Sequence, residues 1–333
     1  MPSIDHADLV ALLARILARH GYSASNAHVL AETMAAAERD AAHSHGVFRL
    51  EGYLADARSG WAKADAVPRL LPSPAALILV DADNGHAQPA WQRGRERLVA
   101  RAGELGLAGM VIRNSHHLAA LWPEVEDLAE AGLVGLNFRG SRPFLALPGG
   151  RAPLLGTNPW AFACPRAGQP PIVFDMASSA MARGDLMLAA REGRAVPEGA
   201  GLDAAGLPTT DPAAIVEGGV QLPFGGVKGG LVALMVELLA NAITGSLLAL
   251  QDQSAEVPGA ATANGGQLIL AVNPMASGGA GFALQVEALA TALEATGARL
   301  PGARRHAARA RSRRDGIALA ADRLAELHRL AGG

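Results

Sequence analysis

The segment His43-Ser-His-Gly-Val-Phe-Arg49 gathers the groups that acid/base chemistry on a small acid requires. His45 can give or take a proton near neutral pH. Ser44 can orient that ring. Arg49, four residues on, shares its face if the segment is helical and can grip a carboxylate through two hydrogen bonds. An acid/base group beside a carboxylate anchor is what reduction of a small 2-oxo or 2-imino acid needs. A solvated loop with a surface arginine is the alternative.

Four further segments could hold a ligand. Asn114-Ser-His-His117 follows a predicted strand and precedes a predicted helix, where cofactors and substrates gather, although a polar capping turn would look the same. Phe174-Asp-Met-Ala-Ser-Ser179 leads into a predicted helix whose first amides suit a phosphate, or it is ordinary capping by Asp175 or Ser178. Gly225-Gly-Val-Lys-Gly-Gly230 opens another helix, and its glycines let a ligand approach the backbone. Lys63 and Lys228 are the only lysines, so Lys228 is a less ordinary surface residue than its type suggests. Arg304 and Arg305 could read a ribose 2′-phosphate, or belong to a solvated basic face running to Arg314. No segment has metal-ligand spacing, and the adjacent His116 and His117 are not an i,i+4 pair, so no metal is expected.

The elements that must position these groups read as mixed α/β. Helices are predicted over 5–20 and from a Ser25 cap to about Arg39, with a helical stretch through Tyr53. Strands are predicted at 76–81, 109–113, 133–138, 172–174 and 267–272, with helices at 91–105, 118–131, 176–191, 229–244, 281–297 and 316–330. Pro68, Pro72 and Pro74 mark a boundary, and 251–266 reads as a surface loop. No G-x-G-x-x-G joins a strand to a helix, so a standard Rossmann site is not supported.

The 333 residues are 50% hydrophobic and 18% charged, with a net charge of −2. That excludes a disordered chain and gives no basic field for nucleic acid or an anionic membrane. The single cysteine, Cys164, forms no internal disulfide. The N-terminus lacks the basic and apolar regions of a signal peptide, and no apolar run reaches the ~18 residues of a spanning helix. A soluble cytoplasmic protein is expected.

Taken in order, the motifs resemble those of the second malate/L-lactate dehydrogenase family, NAD(P)-dependent oxidoreductases without a Rossmann fold. They are His-Ser-His-Gly-Val-x-Arg at 43–49, Asn-Ser-His-His at 114–117, Leu-Gly-Thr-Asn-Pro at 155–159 and Phe-Asp-Met-Ala-Ser-Ser at 174–179. Ala-Arg-Gly-Asp at 182–185, Pro-Thr-Thr-Asp-Pro at 208–212 and Leu-Pro-Phe-Gly-Gly-x-Lys-Gly at 222–229 follow. His116-His-Leu-Ala-Ala-Leu-Trp122 and Leu222-Pro-Phe-Gly-Gly226 look most like the Δ1-piperideine-2-carboxylate/Δ1-pyrroline-2-carboxylate reductase branch.

The resemblance implies a mixed α/β, non-Rossmann NAD(P)-binding fold with a helical substrate domain. Residues 1–75 with 275–333 would form that helical substrate and dimerisation domain, and 76–274 the NADP-binding domain. It implies a homodimer, NADPH as preferred donor with NADH weaker, and a cyclic imino acid as substrate, a 2-oxo acid being the alternative. It carries the proton-donor role to His45, a relay role to Ser44 and Asp185, and substrate contacts to Arg49 and Thr157. Cofactor contacts fall on His117, on Asp175, Met176, Ala177, Ser178 and Ser179, on Lys228 and Gly229, and on Arg304 and Arg305. Three features depart from the pattern. Arg183 stands where some members have histidine, Gly230 where serine or tyrosine is common, and the 246–262 stretch is short.

Overall fold

The computed structural model describes residues 2–332. Helix His6–Arg19 spaces Leu9, Leu12, Leu13, Ile16 and Leu17 along one face, and all five are buried. That face packs on helix Ala24–Arg39 through Leu30, Ala31 and Met34. The far end of the chain completes the same core with Ile317, Leu319 and Leu327. Ser3–Ile4 pairs antiparallel with Ile317–Ala318, which stitches the two ends together. Burying a leucine side chain is worth about 1.5–3 kcal/mol, so this joint core is a substantial share of the stability.

The centre is a seven-stranded sheet in the order Arg69–Leu71, Leu77–His86, Leu107–His116, Gly265–Val272, Val134–Arg139, Trp160–Arg166, Gln169–Met176. Only Leu77–His86 and Leu107–His116 run parallel, joined by the crossover helix Ala87–Leu105. Every other neighbouring pair is antiparallel. A Rossmann sheet needs successive parallel crossovers, so the missing glycine fingerprint and this topology agree. The three-stranded sheet Val220–Gln221, Gly201–Leu202, Pro208–Thr209 packs beside helix Arg183–Arg191, with a small core of Leu186, Ala189, Val196 and Ile215.

Several elements differ from the sequence reading. Ser23, not Ser25, caps the second helix, its hydroxyl accepting from Asn26 N. The helix predicted from Met176 starts only at Arg183, because Ser178 and Ser179 turn their hydroxyls back onto the carbonyls of Asn158 and Met181. The helix predicted over 316–330 is a short strand followed by helix Ala321–Leu330. Helix Ala303–Asp315 lacks a strong apolar stripe and was hidden in the arginine-rich run. Strand Trp160–Arg166 was not predicted. The 251–266 stretch is not a loose surface loop: Asp56 accepts from Ala261 N at 2.6 Å and from the Thr262 hydroxyl at 3.0 Å, and Ser254 and Thr262 are buried. Among the described residues no helix is long and apolar enough to cross a membrane.

Candidate active site

His43–Arg49 forms two successive 3-10 turns between helices Ala24–Arg39 and Leu50–Ser59. Glu38, at the end of the first helix, shapes them. Its carboxylate accepts from Val47 N at 2.8 Å and meets His43 Nδ1 at 2.6 Å. That contact raises the His43 pKa. Gly46 lets Glu38 in, since a Cβ there would lie 2.3 Å from Glu38 Oε1. Sequence reasoning passed over Glu38 because nothing in its local pattern sets it apart from other helix-surface acids.

Within this turn Ser44 Oγ lies 3.1 Å from His45 Nδ1, and Arg49 Nε donates to Ser44 O at 2.7 Å. Helix Arg183–Arg191 begins against them. A Cβ on Gly184 would come within 2.5 Å of Arg49 Nη2 and 3.2 Å of Ser44 Cβ, so a larger residue there would have to displace the Arg49 guanidinium. Asp185, one residue on, is exposed, lines the same cavity and acts on Arg49 through its charge. No hydrogen bond joins Asp185 to Ser44 or His45 among the described residues. Arg183 stacks on Phe144 at 4.1 Å instead. Burial pulls the His45 pKa down to about 3, and the nearby Arg49 charge adds to this.

The two asparagine segments have a structural logic. Asn114 and Asn158 both have positive φ, 53° and 38°, a region asparagine tolerates better than most residues. Asn158 also donates to Ala233 O and Glu237 Oε2, both at 2.8 Å, which fixes the neighbouring Thr157 over helix Val227–Glu237. Asn114–His116, expected as a turn, is the end of strand Leu107–His116, braced by buried Arg139, which donates to Ser115 Oγ at 2.7 Å and to Ser115 O at 2.8 Å. Neither signal is visible locally, because Arg139 and Glu237 are distant in sequence from the segments they hold. Beside this strand end His117 Nε2 is buried without a hydrogen-bond partner, and desolvation holds the ring well below its ordinary pKa.

A cavity of about 750 Å³ brings most of the expected residues together. Ser44, His45, Arg49, Thr157 and Asp185 line it, as do Asp175, Met176, Ala177, Arg304 and Arg305. Asp175 caps helix Trp122–Glu130, accepting from Leu121 N at 2.6 Å and Trp122 N at 3.0 Å. Burial raises its pKa. Arg305 lies over the Trp122 ring at 4.6 Å and donates to Val173 O, leaving Nη1 buried and unpartnered. Arg304 is exposed.

Ser178, Ser179, His117, Lys228 and Gly229 do not line this cavity. Ser178 is buried and ties this segment to Thr157 O through its N–H and to Asn158 O through its hydroxyl, whereas the Ser179 hydroxyl donates to Met181 O. Lys228 is exposed at the start of helix Val227–Glu237, and Gly229 N donates to Phe224 O.

A sequence model of the malate/L-lactate dehydrogenase family matches residues 4–328. The chain is 48% identical over 331 residues to a Δ1-pyrroline-2-carboxylate/Δ1-piperideine-2-carboxylate reductase of Pseudomonas syringae pv. tomato, covering 99% of this chain and 96% of the relative. A relative of the same name from Pseudomonas putida is also 48% identical, over 99% of this chain and 97% of its own length. The crystal structure of Δ1-piperideine-2-carboxylate reductase from Pseudomonas syringae superposes with a TM-score of 0.97 at 47% identity, covering 99% of this chain and all of that one.

Proposed function

This chain belongs to the malate/L-lactate dehydrogenase family, and from that premise we propose that it reduces cyclic 2-imino acids with NADPH. The substrates are Δ1-piperideine-2-carboxylate and Δ1-pyrroline-2-carboxylate, and the products L-pipecolate and L-proline. Membership of a dehydrogenase family makes it an oxidoreductase with a nicotinamide cofactor. The observation that carries the substrate reading is the convergence of Ser44, His45 and Arg49 in one cavity, in a chain so similar to reductases of that name.

The donor set fits a dinucleotide. Arg304 and Arg305 bring positive charge to the cavity that also holds the acid/base group, and both Arg305 Nη1 and His117 Nε2 are buried donors or acceptors awaiting a partner. Arg304 and Arg305 would hold the 2′-phosphate, and Asp175, Met176 and Ala177 the rest of the cofactor. When bound, the cofactor supplies a hydride to the substrate's C2. Arg49 grips the carboxylate and Thr157 sets the ring's orientation. His45 holds or supplies the proton at the imine nitrogen, with Ser44 fixing its tautomer through the 3.1 Å contact. The Arg49 charge disfavours protonated His45. A carboxylate bound on Arg49 offsets that charge, which is the smaller of the two causes holding the His45 pKa down, burial being the larger.

The homodimer belongs to the same reading. Two apolar faces are exposed on the single chain: Val227, Leu231, Leu234 and Leu238 along one helix, and Leu284, Leu289 and Leu293 along another. Exposed apolar surface of that extent marks an interaction site. Lys228, exposed beside the first face, would make its cofactor contact across the dimer. We divide the chain into a largely helical unit of 1–75 with 275–333 and a cofactor unit of 76–274, working in the cytoplasm; strand Arg69–Leu71 crosses that boundary to join the central sheet.

Hydride transfer is tested with NADPH deuterated at the transferring position of its nicotinamide. Pipecolate carrying deuterium at C2 is expected from the six-membered imine. Label-free pipecolate, or no cyclic amino acid at all, contradicts the reading.

A further inference from the structure

Trp122 lines a second cavity, of about 540 Å³, formed between helices Ala24–Arg39, Ala87–Leu105, Trp122–Glu130 and Ala303–Asp315. None of the residues assigned to the reaction or the cofactor lines it. Its size is that of an ordinary small-molecule site. Gln88 lines it and is only 4% exposed, yet neither its Oε1 nor its Nε2 has a hydrogen-bond partner. A buried amide with both ends open is costly unless something meets it.

The charges around Gln88 say what that something is. Arg309 is already engaged by Asp40 and Glu126, at 2.6 Å each, and Arg39 by Asp40 at 2.7 Å. Glu32, Glu124, Asp127 and Glu130 also line the cavity, as does Arg313, so five carboxyls, Glu126 included, face three arginines; Glu32 meets His6 Nε2 at 3.4 Å, and Glu124 accepts from Asn137 Nδ2 at 3.5 Å. The surplus is of acceptors. The indole of Trp91 forms part of the same wall and is a surface that attracts cations.

We propose that this cavity binds a small organic ammonium ion, with Gln88 Oε1 and the carboxylates of Glu130 and Glu32 accepting its N–H groups. Putrescine is the probe. Succinate and butanediol, of the same chain length but anionic and neutral, are the controls. Calorimetric titration of the intact protein should show putrescine binding saturably at a single site per chain, while neither control binds. Saturating NADPH should not displace it, which separates this site from the cofactor cavity. Gln88→Leu keeps the bulk and removes the acceptor, so putrescine should bind about tenfold more weakly or worse. Should that variant fail to fold, Glu130→Gln on the rim carries the same test, with a weakening of a few-fold. Absence of saturable putrescine binding overturns the proposal. So does displacement by NADPH, or an affinity unchanged in the folded variant.

Discussion

At neutral pH the His45 ring is neutral, because burial and the Arg49 charge hold its pKa near 3. Proton-transfer help by a positioned side chain is typically worth ~10²–10⁴-fold in rate. His45→Ala should lower kcat by about that factor, and Arg49→Ala should act mainly on KM. Steady-state kinetics decide: an unchanged kcat removes His45 from the proton path, and an unchanged KM removes Arg49 from the carboxylate. A different histidine reports on stability. His86 is 3% exposed, bonds Tyr22 through Nε2 at 2.9 Å, and is held down at about 3 by burial. An unfolded histidine takes up its proton near pH 6.5, a folded His86 only near 3, so between those values acid favours the unfolded chain. The pH slope of unfolding free energy should therefore be shallower in His86→Phe, by about 1.4 kcal/mol per pH unit at most. Equal slopes for the two proteins over pH 4–6, an interval inside that window, would show that His86 carries none of the acid sensitivity.

At the scale of elements, the site depends on contacts between distant segments. Asp56, on helix Leu50–Ser59, ties down the stretch before the central strand through Ala261 N and the Thr262 hydroxyl. Thr262 in turn contacts His116 Nδ1 at 2.9 Å. Asp56→Ala leaves buried donors unmet and should cost about 1–3 kcal/mol, read from urea unfolding. Faster amide exchange over 254–264 should accompany it, and unchanged exchange there would show that the tie is incidental. This contact marks the limit of what the sequence made legible. Period and caps revealed His6–Arg19 and the central strands, because those signals are local. The motif order revealed the turns that meet at His45. The polar 251–266 stretch read as loose because its anchor lies some two hundred residues earlier. Strand Trp160–Arg166 escaped because its partners, not its own pattern, make it a strand. Glu38 and Gly184 became visible only once the turn and helix they accommodate were in place.

At the scale of the whole molecule, the proposed homodimer would cover the two exposed leucine-rich faces. Light scattering should give the mass of a dimer. Leu231→Glu places a charge on a residue that is 61% exposed in the single chain, and it should shift the protein toward monomer and reduce turnover, since a charge buried unpaired in an interface is strongly unfavourable. A wild-type protein with monomer mass would sink the dimer and the cross-dimer role of Lys228 together.

The central claim is the substrate class, and a parallel comparison of turnover tests it most directly. Initial rates of NADPH oxidation would be measured with Δ1-piperideine-2-carboxylate, Δ1-pyrroline-2-carboxylate and pyruvate, then repeated with NADH. The account predicts far higher kcat/KM for the cyclic imines than for pyruvate, and higher with NADPH than with NADH. Turnover of pyruvate alone would keep the family and the cavity but contradict the claim, moving the chain to the 2-oxo acid branch.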